Sequence, residues 1–411
     1  MMIESPDSFK KPELLVPAGD MEKLETALAY GADAVYVGLP RFGLRALAGN
    51  FTLRELVRAR KITKQQGKRL YLALNAYLHP QETGEIEGFL EELRAIGPDA
   101  YIISDPGVLA LAQKVDPGRE LHLSTQANTT NAGAVEFWRR AGIRRVNLAR
   151  ELSLGEIKAI REKTEAELEV FVHGAMCVAY SGRCLLSAAL AGRGANAGLC
   201  AQPCRWNYAL VEETRPGQYF PLEEDERGSY IMNSRDLCLV EHLPDLIATG
   251  IDSLKIEGRM KSRYYVAAVT RVYRTALDAY CSDPRGYRFD PQWRQELEKV
   301  SHRPYDSGFL FPGERGKIHA RDSLYRRSHD FVGVVLDILP DGRGIVQGRN
   351  RFYPGETLEL IGPGMRQARF AVENLLAEDG RELPVMQPNA TAIVVLPPGA
   401  QEGDLLRRER P

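Results

Sequence analysis

Four of the six cysteines of this 411-residue chain fall in one stretch, "FVHGAMCVAYSGRCLLSAALAGRGANAGLCAQPCRW". Cys177, Cys184, Cys200 and Cys204 follow the spacing C-x6-C-x15-C-x3-C, and Cys238 comes later in "SRDLC". Grouped thiolates suit zinc or an iron–sulfur cluster. Only the last pair has the close spacing of a zinc knuckle, whereas a cluster accepts wider spacing because its ligands bind separate iron atoms. The spacing favours a cluster and leaves zinc and unligated or redox thiols open. Cys281, after a helical stretch, is typical of an ordinary buried thiol.

Other polar side chains directly follow short apolar, β-rich runs. At the carboxyl ends of parallel strands such residues are well placed for chemistry, although some of them only cap the next helix. Asp20 and Ser153 are expected to be caps. The candidates for function at strand ends are Asn75, Asp105, Gln126, Asn128, Arg150, His173, Ser234 and Glu257.

These positions follow from an alternation of strand-like and helix-like segments. From residue 13 onward, runs such as "ELLVPA", "AVYVGL" and "RLYLALNA" are separated by helical patterns of about a dozen residues. Helix-length crossovers imply parallel pairing. About eight such units precede residue 280, which favours a (β/α)8 barrel. An open, doubly wound sheet is the alternative, because counting units does not show closure.

The pattern changes toward the end of the chain. We predict a catalytic (β/α)-barrel domain over residues 1–281, with a Cys-rich insertion at 174–229. Residues 282–330 are rich in Pro, Gly and charge and read as a linker with one helix. Residues 331–411 show short strands with turn signals and no helical pattern, which predicts a small all-β barrel.

Composition places the chain among soluble globular proteins and gives it no general affinity for polyanions. It is 44% hydrophobic and 27% charged, with 54 Lys and Arg against 55 Asp and Glu. A nucleic acid would therefore have to bind at local basic patches on the surface. No segment has the length and apolar character of a signal peptide or membrane span. We therefore expect a cytoplasmic protein, where clustered cysteines more often bind metal or do redox chemistry than form disulfides.

The segment "EVFVHGAMCVAYSGRCLLS" closely resembles the signature of the collagenase-like peptidases, peptidase family U32. The segments "ELLVPAGDMEKLETALAYGADAVYVG", "GLCAQPCRW", "MNSRDLC" and "SLKIEGRMKSRYYVA" resemble this family as well, and the β-rich tail is similar to its C-terminal domain. The resemblance covers nearly the whole chain.

Within that family, the length and tail resemble the group of tRNA hydroxylation proteins. The resemblance implies formation of 5-hydroxyuridine at the tRNA wobble position, with prephenate as co-substrate and an iron–sulfur cluster of the 4Fe-4S type. It implies Cys177, Cys184, Cys200 and Cys204 as ligands, with Cys238 in reserve. Other family members hydroxylate a cytidine of ribosomal RNA or ubiquinone precursors, so another ring substrate is the alternative. A partner subunit is possible.

Roles for other residues follow from this chemistry. Arg45 and Arg259 are candidates to bind a dicarboxylate, because guanidinium groups pair with carboxylates in a fork. Gln126, Asn128 and Glu257 could contact the edge of a base. Tyr180 and Trp206 could stack on it. His173, Tyr180 and Glu257 are the catalytic candidates. His173 could act as a base or as a donor near the cluster, or it could be an ordinary hydrogen-bonded imidazole in the core. Arg326, Arg327, Arg407 and Arg408 would grip the RNA backbone.

The family name also suggests peptide hydrolysis. The sequence contains neither H-E-x-x-H nor G-x-S-x-G. A cysteine protease needs a thiolate paired with a base, whereas the thiols here are grouped as if to share a metal. A peptidase therefore stays as the alternative to a hydroxylase, and a non-catalytic RNA-binding protein is a third possibility.

Overall fold

Strands and helices alternate through the first part of the chain, as the sequence predicts. The computed structural model describes residues 10–44, 49–177, 179–205, 209–211, 219–221, 235–311 and 325–410. The helices are α1 (Met21–Ala29), α2 (Leu53–Gln65), α3 (Pro80–Ile96), α4 (Pro106–Val115), α5 (Ala132–Arg140), α6 (Leu154–Arg161), α7 (Leu186–Ala191), α8 (Leu243–Ala248), α9 (Arg263–Ser282) and α10 (Pro291–Glu298).

The first twelve strands lie in the same N-terminal part of the chain as these helices. They are β1 (Glu13–Pro17), β2 (Ala34–Gly38), β3 (Arg69–Leu74), β4 (Ala100–Ile103), β5 (Glu120–Leu123), β6 (Arg145–Asn147), β7 (Glu167–Ala175), β8 (Ala209–Val211), β9 (Tyr219–Pro221), β10 (Asp236–Cys238), β11 (Ser253–Ile256) and β12 (Tyr305–Asp306). Six more strands form the C-terminal sheet: β13 (His329–Ile338), β14 (Arg343–Gly348), β15 (Thr357–Ile361), β16 (Gln367–Ala371), β17 (Thr391–Val395) and β18 (Leu405–Glu409).

Eight parallel strands close into a barrel. Strands β1 to β7 pair in sequence order, and β11 pairs in parallel with both β1 and β7. The open-sheet alternative is therefore wrong, and the predicted (β/α)8 barrel is confirmed. Closure brings the carboxyl ends of all eight strands to one mouth. The helices around the barrel begin at local caps: the Asp20 side chain accepts from the Lys23 amide, and Ser153 forms a capping box with Glu156, as predicted.

The chain between β7 and α8 departs from the simple repeat. After β7 it runs through the cysteines and returns as β10, which pairs antiparallel with β7 so that Asp236 lies opposite Ala175. Strand β12 pairs in parallel with β10. The segment that the sequence reads as a linker thus contributes a strand beside the barrel, and its helix α10 buries Trp293 and Leu297 in the barrel's core.

The C-terminal strands form a six-stranded antiparallel sheet in the order β16-β15-β18-β13-β14-β17. The all-β prediction is confirmed, and the sheet curls into a half-barrel over its own apolar cluster, which includes Phe352, Met386 and Leu406. Strand β13 carries two register shifts, which bend it.

A buried polar network joins this sheet to the barrel. Arg407 of β18 is fully buried; its Nε donates to Glu359 Oε2 at 2.7 Å and its Nη2 donates to Glu296 Oε2 of α10 at 2.8 Å. Arg271 of α9 pairs with the same Glu296. The prediction that Arg407 grips RNA is therefore wrong, because its guanidinium is used inside the protein. Arg408 pairs with Glu356 at 2.7 Å.

The longest described helix, α9, carries three arginines. In the part of the chain that the structure describes, none of the helices combines the length and apolar character that a membrane crossing demands.

Candidate functional site

The mouth of the barrel holds a cavity of ≈150 Å³. Its floor and walls come from barrel strands, with Tyr36 of β2, Asn147 of β6, Phe171 of β7 and Lys255 of β11 among the lining residues. The cysteine segment, residues 176–205 without Val178, supplies the remaining side. The cavity therefore lies where polar strand-end residues and thiols meet.

Backbone contacts fix the cysteine segment over the strand ends. Gly182 has φ 74° and lies so close to the loop after β5 that a Cβ atom would stand 2.0 Å from the Gln126 carbonyl oxygen. The Ser181 amide donates to Glu151 Oε1 at 2.6 Å, and the Tyr77 amide donates to the Asn196 carbonyl at 3.2 Å. A glycine is needed at 182 because only glycine combines positive φ with such close approach.

Three of the predicted ligands line this cavity together. Cys177, Cys184 and Cys200 all contribute to its wall, and each is half-buried. Cys204 is half-buried in a 3-10 turn, Pro203–Arg205, packed near α7. Thiols facing one cavity are the donor set that an iron–sulfur cluster uses. Among the described residues no group of three Cys, His, Asp or Glu side chains is close enough to hold a single metal ion.

Cys238 and His173 lie apart from the cavity lining and face each other across β10 and β7. Both are fully buried, and His173 sits among Tyr265, Tyr273 and Tyr305, with ring centroids 5.2–5.9 Å away. Burial raises the pKa of the Cys238 thiol to about 11 and holds the pKa of His173 well below its usual range. The pair is thus a neutral thiol beside a neutral imidazole, the opposite of the thiolate–imidazolium pair of a cysteine protease.

Glu257 follows β11 and lines the cavity with its carboxylate near Tyr36. The Tyr36 hydroxyl lies 3.2 Å from Glu257 Oε2 and donates to the Ile256 carbonyl at 3.0 Å. Burial, with Glu257 as the next cause, raises the pKa of Tyr36 well above its usual range. Tyr36 is therefore a neutral hydroxyl that holds the strand end in place.

Two arginines bring positive charge to the same cavity. Arg259 is 4% exposed, and a Cβ atom at Gly38 would overlap its guanidinium, so a glycine makes room for it. Arg150 lies with its guanidinium carbon 6.0 Å from the Phe171 ring centroid. The predicted Arg259 is thus at the site, and Arg150 joins it. Arg45, predicted with Arg259, lies outside the described residues, as do Trp206 and Ser234.

Of the other predicted site residues, some line the cavity and others do not. Gln126 lines the cavity, and Tyr180 lines its rim with 67% of its surface exposed. Asn128 closes the 3-10 turn after β5 with φ 52° and does not line the cavity. Asp105 caps α4 by accepting from the Gly107 and Val108 amides, so its place at a strand end is explained by the helix.

Lys255, which is not among the predicted site residues, is the main addition to the site. Its Nζ donates to Glu169 Oε1 at 2.8 Å and stands 4.7 Å from the Tyr36 ring centroid and 5.4 Å from that of Phe171. Burial alone would raise the pKa of Glu169, but Lys255 and Arg145 outweigh it and lower that pKa. A lysine inside an otherwise apolar strand, "SLKI", is the signal in the sequence that could have indicated it.

Fold and site together define a (β/α)8-barrel protein with a small polar cavity walled by thiols at the barrel mouth. The model of peptidase family U32 matches residues 19–320, and the model of that family's C-terminal domain matches residues 327–407. The chain belongs to peptidase family U32.

Curated relatives extend along most of the chain. The protein is 42% identical over 380 residues to "tRNA hydroxylation protein P1" of Bacillus subtilis, covering 91% of this chain and 89% of the relative. It is 36% identical to "tRNA hydroxylation protein P" of Escherichia coli, covering 91% of each. It is also 36% identical to the "23S rRNA 5-hydroxycytidine C2501 synthase" of Escherichia coli, over 77% of this chain and 48% of that protein.

Proposed function

We propose that this protein is an RNA hydroxylase that forms 5-hydroxyuridine at the wobble position of tRNA, with an iron–sulfur cluster and prephenate as co-substrate. Relatives named for tRNA hydroxylation support the reaction class. The observation that carries the proposal is a single cavity at the barrel mouth that is walled by three cysteines and lined by arginines, a lysine and a carboxylate.

The size of the cavity suits one flat ring. A volume of ≈150 Å³ is about that of engineered cavities that hold one benzene molecule. A base inside an RNA stack is out of reach of such a cavity, so the target nucleotide has to be unstacked or flipped out. Tyr180, exposed at the rim, offers an aromatic face to a base outside the cavity.

The thiols would hold the cluster, and the charged side chains would bind the co-substrate. Cys177, Cys184 and Cys200 would be ligands from the cavity wall, with Cys204 as the fourth. When bound, such a cluster supplies electron transfer or an open iron site. Arg259 and Arg150 would pair with carboxylates of prephenate, because guanidinium groups bind carboxylates through two parallel hydrogen bonds. Glu257 would accept a proton or a hydrogen bond from the substrate.

Metal content tests the cluster. Protein purified under nitrogen should contain iron and sulfide and absorb visible light. Cys177→Ser, Cys184→Ser and Cys200→Ser should each lower the iron content severalfold, while Cys281→Ser, half-buried on α9 away from the cavity, serves as the matched control. Cys238→Ser should leave iron unchanged. A colourless protein with stoichiometric zinc contradicts the proposal.

Mass spectrometry of tRNA nucleosides tests the reaction. A deletion strain without an oxygen-dependent bypass should lose 5-hydroxyuridine, and the wild-type gene should restore it, whereas a Cys184→Ser gene should not. Unchanged 5-hydroxyuridine contradicts the proposal. If 5-hydroxycytidine of ribosomal RNA disappears instead, the chain acts on the substrate named for its ribosomal relative.

Peptide hydrolysis has less support. Three cysteines line the cavity and His173 does not, and burial raises the pKa of the Cys238 thiol to about 11, which favours its protonated form. Purified protein is therefore expected to leave denatured collagen intact.

A further inference from the structure

Asn147 places a hydrogen-bond acceptor in the cavity without a donor. It ends strand β6, is 2% exposed and lines the cavity. Its Oδ1 atom is buried, and no donor of the described residues reaches it. An unpaired buried acceptor destabilises the protein, because it has lost its hydrogen bonds to water and has gained no other donor. A ligand N–H in the cavity would recover that cost.

Lys255 contributes the complementary donor. Its ammonium group has three N–H bonds and no acceptor. Within the described part of the chain Glu169 is its one hydrogen-bond acceptor, at 2.8 Å. Lys255 also lines the cavity, so the further N–H bonds of its ammonium group are available to a ligand there.

Two aromatic rings flank these polar groups. The Tyr36 and Phe171 ring centroids lie 4.7 Å and 5.4 Å from Lys255 Nζ, and both rings line the cavity. A ligand that fits must therefore be flat, and it must present an N–H next to an acceptor at its edge. Uracil does so with N3–H and its neighbouring carbonyl oxygens, whereas a carbocyclic ring has no ring N–H.

We propose that Asn147 and Lys255 are specificity-determining residues that recognise the N3–H and a neighbouring carbonyl oxygen of a uracil ring. Asn147 Oδ1 accepts from N3–H, and Lys255 donates to the oxygen. This inference rests on the function proposed above, because it names how that site selects a nucleobase over a carbocyclic ring.

Binding of a chemically altered RNA tests the pair. Fluorescence anisotropy would compare an RNA stem–loop that carries uridine in its loop with the same RNA carrying N3-methyluridine, which lacks the N–H. The full-length wild-type protein should bind the methylated RNA about tenfold more weakly, which corresponds to a loss of about 1.4 kcal/mol of binding free energy. Asn147→Leu should reduce this discrimination to less than about threefold, and Lys255→Met should weaken binding of both RNAs.

Stability separates recognition from a structural role. Because Asn147→Leu removes an unpaired buried acceptor, the free variant should melt at the wild-type temperature or above it. Asn350→Leu, at an exposed position in the bend after β14, is the control and should keep the discrimination. If Asn147→Leu discriminates as the wild type does, the inference is overturned.

The outcomes also separate the inference from the proposed reaction. A wild-type protein that hydroxylates RNA but binds both RNAs alike overturns the inference and leaves the reaction standing. A protein that discriminates through Asn147 but yields no 5-hydroxyuridine supports the inference and contradicts the reaction.

Discussion

Glu169 connects the cavity to a chain of buried charges inside the barrel. It accepts from Lys255 on one side and lies 3.5 Å from Arg145 on the other, and Arg145 pairs with Glu13 at 2.6 Å. Barrel interiors are more often filled by branched apolar side chains. Here alternating charges fill part of that space, and they hold the Lys255 ammonium at the cavity.

Removing the charge of Glu169 should be costly. In Glu169→Gln the cations Lys255 and Arg145 lose a buried counter-charge, and we expect the free energy of unfolding to fall by about 3–5 kcal/mol. Urea denaturation measures the change. Glu25→Gln, which breaks the exposed pair with Arg58, should cost less than about 1 kcal/mol. Equal effects of the two substitutions would contradict this account of the barrel interior.

Sequence patterns identify some residues of the cavity and do not identify others. The cysteines and Glu257 are visible because their type or their place after a strand is informative. Asn147 ends the three-residue strand β6 and Lys255 lies inside the four-residue strand β11, and their roles depend on which strands lie opposite each other across the closed barrel. The family resemblance implies Cys238 as a reserve ligand, but strand β10 places it in the buried layer opposite His173.

At the scale of elements, the cysteine segment depends on its glycines. Gly182 and Gly192 both have positive φ, 74° and 62°. A Cβ at Gly182 would meet the Gln126 carbonyl, whereas nothing lies within 4 Å of a Cβ at Gly192. A substitution at Gly192 therefore tests backbone strain alone, whereas a substitution at Gly182 tests strain together with a steric clash.

Gly192→Ala should destabilise the protein by about 1–2 kcal/mol, the cost of left-handed backbone for alanine. Gly182→Ala should cost more, and it should also raise the rate of proteolytic cleavage within the cysteine segment, because the segment has to move away from the strand end. Limited proteolysis and urea denaturation measure the two effects. The idea fails if Gly182→Ala resembles Gly192→Ala in both.

The alternation of strands and helices was the part of the fold that sequence could predict, because parallel barrels repeat one pattern. The return of the chain as β10 antiparallel to β7 could not be read from a three-residue strand, "DLC". The same holds for β12, since two residues carry no periodicity.

At the scale of the whole molecule, the C-terminal sheet is fixed to the barrel. The Tyr30 hydroxyl donates to the Ile361 carbonyl at 3.0 Å, and Glu296 binds both Arg271 and Arg407. Burial would raise the pKa of Glu296, but the two arginines outweigh it and lower that pKa to about 2. The carboxylate therefore stays charged across the physiological range.

His329, at the start of the sheet, should make stability depend on pH. Burial, then Arg407 and Lys299, lower its pKa to about 4, against about 6.5 in an unfolded chain. Between these values the unfolded state binds a proton that the folded state does not, so the free energy of unfolding falls as pH falls from about 6.5 to about 4. Urea denaturation across this range should show a shallower slope for His329→Gln. An unchanged slope would contradict the assignment.

The pairing of Ala175 in β7 with Asp236 in β10 has a consequence for how the segment between these two strands can vary in length and sequence. The chain segment that carries the thiols leaves the barrel at the end of β7 and returns as β10, and these two strand ends are neighbours in one β-ladder. Its length and composition can change while the strands beneath keep their register. The cysteine segment could therefore be replaced by a different segment on the same barrel strands. Such a replacement would change which molecules enter the cavity and would leave the barrel itself unchanged.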